Sequence, residues 1–228
     1  MDTVSLTQML LREKLPLFHL IYQFNVGLAE YTHASHLEGL ISKELLDAVC
    51  KRESGARGLS RILLKHFSLE DSFCLDFEPV HRRLALVSEV TLQKLFFYAG
   101  AALLHERITH IIAKDELAQL KEDLGKNVYF FAVKRAPFLV STRPGLSSLE
   151  APSPNLFVDL IRAAEECFSW CFGGEPQEIT QRLMLKFPKR LKWHFDNNPT
   201  PEEREAAWQF LHRILIKEVG PDWKSCFI

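Results

Sequence analysis

Apolar positions along this chain repeat mostly every three to four residues. Leu92, Leu95, Phe96, Ala99 and Leu103 fall at i, i+3, i+4, i+7 and i+11, one face of a helix. Ile108, Ile111 and Ile112 repeat that face in a short piece. Asp115 stands where a cap would open the next helix, striped by Leu117, Leu120 and Leu124. Gly125 offers the left-handed stop, and Val128, Phe131 and Ala132 begin another helix that ends before Pro137.

The flanking regions read the same way. Pro16 splits the first ~30 residues into two helical pieces, the second running from Leu17 to Glu30 with Leu20, Ile21, Phe24 and Leu28 on its face. Tyr31 to Gly39 is a connection. Ser42 caps a helix through about Lys51, Ser54-Gly55 breaks it, and Leu59, Ile62, Leu63 and Phe67 mark a further short helix. Asn155 caps a helix to Phe172, closed by Gly173-Gly174, and Pro176 opens another that runs to Pro188. Thr200-Pro201-Glu202-Glu203 has the form of a capping box with proline at the first helical position; Gly220-Pro221 ends that helix. Only residues 68–79 alternate as a strand does, with Phe73, Leu75 and Phe77 on one side. A lone strand leaves its backbone unpaired, so this stretch is predicted to be an extended connector.

The pattern predicts an all-α, irregular multi-helix fold. Proline and serine cluster over 137–154, a linker between an N-terminal helical part, 1–136, and a C-terminal part, 155–228; the two form one integrated domain or two abutting halves.

Composition narrows the function. Twenty-eight basic and 29 acidic residues give a net charge of −1, which argues against a general nucleic-acid or anionic-membrane surface. No stretch approaches the ~20 apolar residues of a membrane span. Asp2 sits where a signal peptide wants positive charge, so a cytoplasmic chain is expected, with its five cysteines as free thiols.

Candidate chemistry is sparse. His33 and His36, with Glu38 near, have helical metal spacing but no second cluster to complete a site. His105 and His110 lie off one another's face. Cys167 and Cys171 share a face with Leu160, Ala164 and Phe168, so they read as small buried hydrophobes rather than a redox pair. Between Arg182 and His194, Lys186, Lys189, Arg190 and Lys192 alternate with Phe187 and Trp193, and no acid intervenes. Such a strip can bind single-stranded nucleic acid, dock an acidic protein, or flank buried aromatics. No phosphate loop, nucleophile elbow or His-Glu-x-x-His occurs. The sequence therefore calls for no enzyme activity, no cofactor and no metal.

Several stretches, in order, resemble the SctK family of type III secretion systems, also called the YscK, PscK, MxiK or OrgA type. Early come Phe24-Asn25, Tyr31-Thr32-His33 and Leu37. The centre holds Gly100, Leu103-Leu104-His105, Arg107-Ile108, Leu117, Leu120, Leu124-Gly125 and Tyr129 to Ala132. The strip Arg182-Leu183-Met184-Leu185-Lys186-Phe187-Pro188 follows, then Ile214 to Val219, Pro221 and Phe227.

The resemblance implies a non-enzymatic adaptor of the cytoplasmic sorting platform. It would bridge the SctQ-type pod protein to the cytoplasmic domain of the SctD-type inner-membrane ring protein, with SctL and SctN reached indirectly. Its attachment at the inner membrane would run through SctD, without membrane insertion of its own and without nucleic acid. A helical binding module or chaperone-like scaffold outside secretion is the alternative. Interface hot spots favour Arg, Tyr and Trp, which selects Tyr31, His33, Arg107, Arg190 and Trp193 as candidate protein-binding residues. Against that stands the reading of Trp193 as core and of the charges as solvated.

Overall fold

Every regular element among the described residues is a helix. The computed structural model describes residues 15–111, 114–139, 144–146, 153–196 and 198–227. The α-helices are α1 (Leu15–Val26), α2 (Leu28–Tyr31), α3 (Lys43–Cys50), α4 (Glu53–His66), α5 (Glu89–Leu103), α6 (His105–Thr109), α7 (Lys114–Leu124), α8 (Lys126–Lys134), α9 (Leu156–Phe172), α10 (Gln177–Leu185) and α11 (Pro201–Ile214). Short 3₁₀ turns join several of them, and α11 runs on into a π-helical turn, Leu215–Val219. None is long and apolar enough to cross a membrane.

These elements divide into two compact units. The first holds the described residues up to Glu89 together with Pro176–Lys189; the second holds Val90–Glu175 and the chain from Arg190 onward. The chain therefore crosses between units on either side of α10, which belongs whole to the first. The proline-rich stretch 137–154 falls mostly outside the described residues.

In the first unit, Leu28, Tyr31, Leu37, Leu59, Leu63, Leu64, Leu69 and Leu185 form a continuous buried cluster. Each large side chain so buried contributes roughly 2 kcal/mol. Ser42 caps α3 by accepting from the Leu45 amide at 3.3 Å. Ser54-Gly55 does not break a helix, as the sequence suggested. Both lie in the first turn of α4, and the chain turns just before, at Lys51–Arg52. Gly55 is needed there because a Cβ would run into the Val49 carbonyl.

After a turn at 68–71, residues 72–78 run without helix or partner strand, as expected of a connector, yet their three alternating apolar side chains do not share one side. Phe77 is buried, whereas Phe73 and Leu75 are exposed. The reason lies in α1. The Asn25 side chain donates to the Cys74 carbonyl at 2.7 Å and accepts from the Cys74 amide at 2.9 Å. One side-chain amide thus replaces a neighbouring strand and turns Cys74 inward. Arg83 Nε closes the segment on the Phe77 carbonyl at 2.9 Å.

The second unit is built on α5, α9 and α11. Leu92, Leu95, Phe96, Ala99, Ala102 and Leu103 of α5 are all buried. Gly100 sets how closely α5 meets α9: a Cβ there would lie 2.5 Å from the Leu160 carbonyl oxygen. Cys167 and Cys171 are fully buried on the inner face of α9, and burial pushes both thiols well up. Asp115 lies in the first turn of α7, where its charge suits the helix N-terminus, rather than before it. Gly125 takes the positive φ the sequence called for, at +78°, and serves as the cap of α8. The capping box of α11 is complete: Thr200 Oγ1 accepts from the Glu203 amide at 3.2 Å, and Glu203 accepts from the Thr200 amide at 2.7 Å.

Candidate protein-binding site

The basic strip from Arg182 to His194 is two structures in succession. Its first half lies on and just after α10, inside the first unit. Arg182 and Lys186, one helical turn apart, are 0% and 3% exposed. Arg182 donates to the carbonyls of Glu178, Asn25 and Leu69 at 3.1–3.4 Å. Lys186 Nζ donates to the Ala85 and Val87 carbonyls at 2.7 and 2.8 Å, and sits 5.4 and 4.9 Å from the Phe24 and Tyr31 ring centres. Burial lowers its pKa to about 7, with Glu89 acting weakly in the opposite direction. These two cations hold the first unit together from inside.

The second half belongs to the second unit and lies along α9 in an extended run. Here exposure alternates: Arg190, Lys192 and His194 are exposed, while Leu191, Trp193 and Phe195 are partly buried. Two side chains of α9 pin the run by its backbone. Glu165 accepts from the Lys192 amide at 2.7 Å, and Ser169 Oγ from the His194 amide at 3.1 Å. Trp193 stacks on Phe195 at 5.4 Å and meets Phe96 and Phe168 edge-on at 6.0 and 6.2 Å. With one set of side chains anchored in aromatic packing, the alternate set points its charges outward.

Between this run and the outer face of α9 lies an open groove of about 580 Å³. Its apolar surface comes from Phe157, Val158, Ile161 and Leu191; Arg162, Glu166, Arg190 and Lys192 also line it. Glu165 reaches the groove too, but its carboxylate is committed to the Lys192 amide, and burial pushes its pKa upward. Phe157, Val158, Ile161 and Arg162 were missed as candidates. The signal for them was in the helix periodicity: three apolar residues lie off the stripe formed by Leu156, Leu160, Ala164 and Phe168.

The remaining candidates fall elsewhere. Tyr31 is 8% exposed, and its hydroxyl donates to the Phe24 carbonyl at 2.7 Å. It is a core residue, and burial pushes its hydroxyl pKa far up. His33 caps a 3₁₀ turn: its Nδ1 accepts from the Ser35 amide at 3.1 Å, and its own amide donates to the Leu185 carbonyl at 2.7 Å. His36 Nε2 lies 2.9 Å from the Phe187 carbonyl oxygen, and burial lowers its pKa. The two histidines tie their loop to the end of α10, and no group of three or more metal-ligating side chains gathers among the described residues.

Arg107, on α6, donates to Asp159 Oδ2 at 2.6 Å and to the Ser153 carbonyl at 3.3 Å. Asp159 is 2% exposed and also accepts from the Ser153 amide at 2.8 Å. Burial pushes the Asp159 carboxyl up, but the hydrogen bonds from Arg107 and Ser153 outweigh it and hold the pKa below the usual range. Arg107 therefore neutralises a buried charge. Of the five candidates, Arg190 and Trp193 alone share a site, the first on its rim and the second beneath its wall.

The sequence model of one family, described as YOP proteins translocation protein K (YscK), matches residues 19–227. No curated protein and no solved structure matches the chain.

Proposed function

Because this chain belongs to the YscK family of type III secretion proteins, we propose that it acts as a non-enzymatic adaptor joining an SctQ-type pod protein to the cytoplasmic domain of an SctD-type ring protein. The observation that carries the reading is the family match over nearly the whole chain, 19–227. A helical binding module outside secretion falls away with that membership. The site chemistry supports the adaptor reading in kind: the exposed groove combines apolar surface with charged lips, the composition of a protein interface. Attachment at the inner membrane is assigned to the SctD-type partner, and contact with SctL and SctN is indirect.

The test uses three purified proteins from one secretion system: this chain, the SctQ-type protein and the SctD-type cytoplasmic domain. The expected result is one complex containing all three, seen by size-exclusion chromatography with light scattering, and none between SctQ and SctD when this chain is left out. If the chain binds neither component, separately or together, the proposal is wrong.

A further inference from the structure

We propose that the groove between α9 and the Arg190–His194 run receives an acidic segment of a partner protein that also carries a large apolar side chain. The inference rests on the adaptor reading and adds to it the chemistry that one of the partners must present.

Shape and charge select this occupant. The apolar surface is continuous across two elements, with Phe157, Val158 and Ile161 from α9 and Leu191 from the run, and Val158 is 44% exposed. An apolar side chain lying there would remove that surface from water. The charges around it are not balanced. Lys192 and Arg190 are exposed on the lip, and Arg162, opposite on α9, is paired with Asp159 at 3.7 Å. Of the two acids, Glu165 is 9% exposed and turned onto the Lys192 amide, so it faces the wall rather than the opening. Glu166 remains as a lining acid. The two exposed cations of the lip, Arg190 and Lys192, attract an acidic chain, while Glu166 and the apolar surface disfavour a polyphosphate.

The lip is also preorganised. The run cannot slide along α9, because Glu165 and Ser169 hold its backbone at two alternate residues and Trp193 and Phe195 are packed beneath. Arg190 and Lys192 therefore stand at a fixed spacing before any partner arrives, which lowers the entropy cost of binding.

The full-length chain with a photo-crosslinking phenylalanine at Val158 is mixed with the purified SctQ-type protein and SctD-type cytoplasmic domain, irradiated, and the joined peptides are sequenced by mass spectrometry. The expected adduct is with one of the two components, at a segment in which at least two Asp or Glu flank a large apolar residue. In parallel, the Arg190→Glu, Lys192→Glu double variant should weaken that component's binding by about ten-fold or more. It should leave the affinity for the other component and the circular dichroism spectrum unchanged.

An adduct at a segment without acids, an adduct to a second copy of this chain, or unchanged affinity in the double variant would overturn the groove assignment while the adaptor reading stands. Failure of the unmodified chain to bind either component would remove both. Because the crosslink is made with Arg190 and Lys192 intact, it decides the question even if the charge reversals disturb folding.

Discussion

Arg182 and Arg190 stand eight residues apart in one acid-free run, and the fold uses them in opposite ways. Arg182 is sealed in the first unit and spends its guanidinium on three backbone carbonyls. Arg190 is exposed in the second unit, on the rim of a groove. The same contrast separates Lys186 from Lys192. A buried cation here serves as a hub: it satisfies backbone carbonyls at a helix end, in a 3₁₀ turn and in connections, at 25, 69, 85 and 87. An exposed cation satisfies nothing inside and is available to something outside. A basic run is thus not one feature, and its function follows from which carbonyls lie within reach.

The largest effect should come from the buried side. Arg182→Ala removes three hydrogen bonds to carbonyls and leaves a cavity the size of a long side chain. Together these should cost about 4 kcal/mol, measured as a shift in the urea midpoint. A loss under ~1 kcal/mol would show that the first unit does not depend on this hub, and the contrast with Arg190 would collapse.

Lys186 sharpens the comparison through pH. Its folded pKa is about 7 against an unfolded value near 10.5. Between those values the unfolded chain holds the proton that the folded chain has released, so stability rises with pH across the window. Below about 7 both states are charged, and the desolvation cost is carried in full. Above 7 the neutral amine keeps two N–H groups, enough for the Ala85 and Val87 carbonyls. The stability of the wild type relative to Lys186→Met should therefore increase by on the order of 3 kcal/mol between pH 7 and 10. A difference independent of pH would mean that the rings of Phe24 and Tyr31 keep the ammonium charged throughout.

Helix periodicity made most of the fold legible, because it records one face of burial and little else. The stripes of α5, α9 and α11 and the caps at Ser42, Asn155 and Thr200 all stand in the structure. Long-range backbone pairing was not legible. Asn25 was visible as an amide in a largely apolar helix, but nothing local indicated that it would clamp Cys74, 49 residues away. That clamp decides which side of 68–79 is buried, so the alternation of Phe73, Leu75 and Phe77 misled. Arg107 likewise carries no local sign of its partner, the buried Asp159.

Capping gives a middle-sized effect, confined to the second unit. Thr200→Ala removes the acceptor for the Glu203 amide and should cost about 1 kcal/mol. The change should lower the denaturant midpoint without altering its steepness. Gln at Glu203 would retain much of the box and should cost less.

The smallest expected effect is the one that matters most for the comparison. Arg190→Ala should leave the denaturation midpoint where it is, because that exposed side chain makes no hydrogen bond among the described residues. Its neighbours in the run are held by the Glu165 and Ser169 contacts to the backbone, and these do not involve position 190. The informative measurement is the pair of midpoints, Arg182→Ala beside Arg190→Ala, under one set of conditions. A large loss in the first and none in the second establishes that the run changes character between them. An equal loss in both would place Arg190 in the scaffold, and Lys192 would then be left as the run's strongest outward charge.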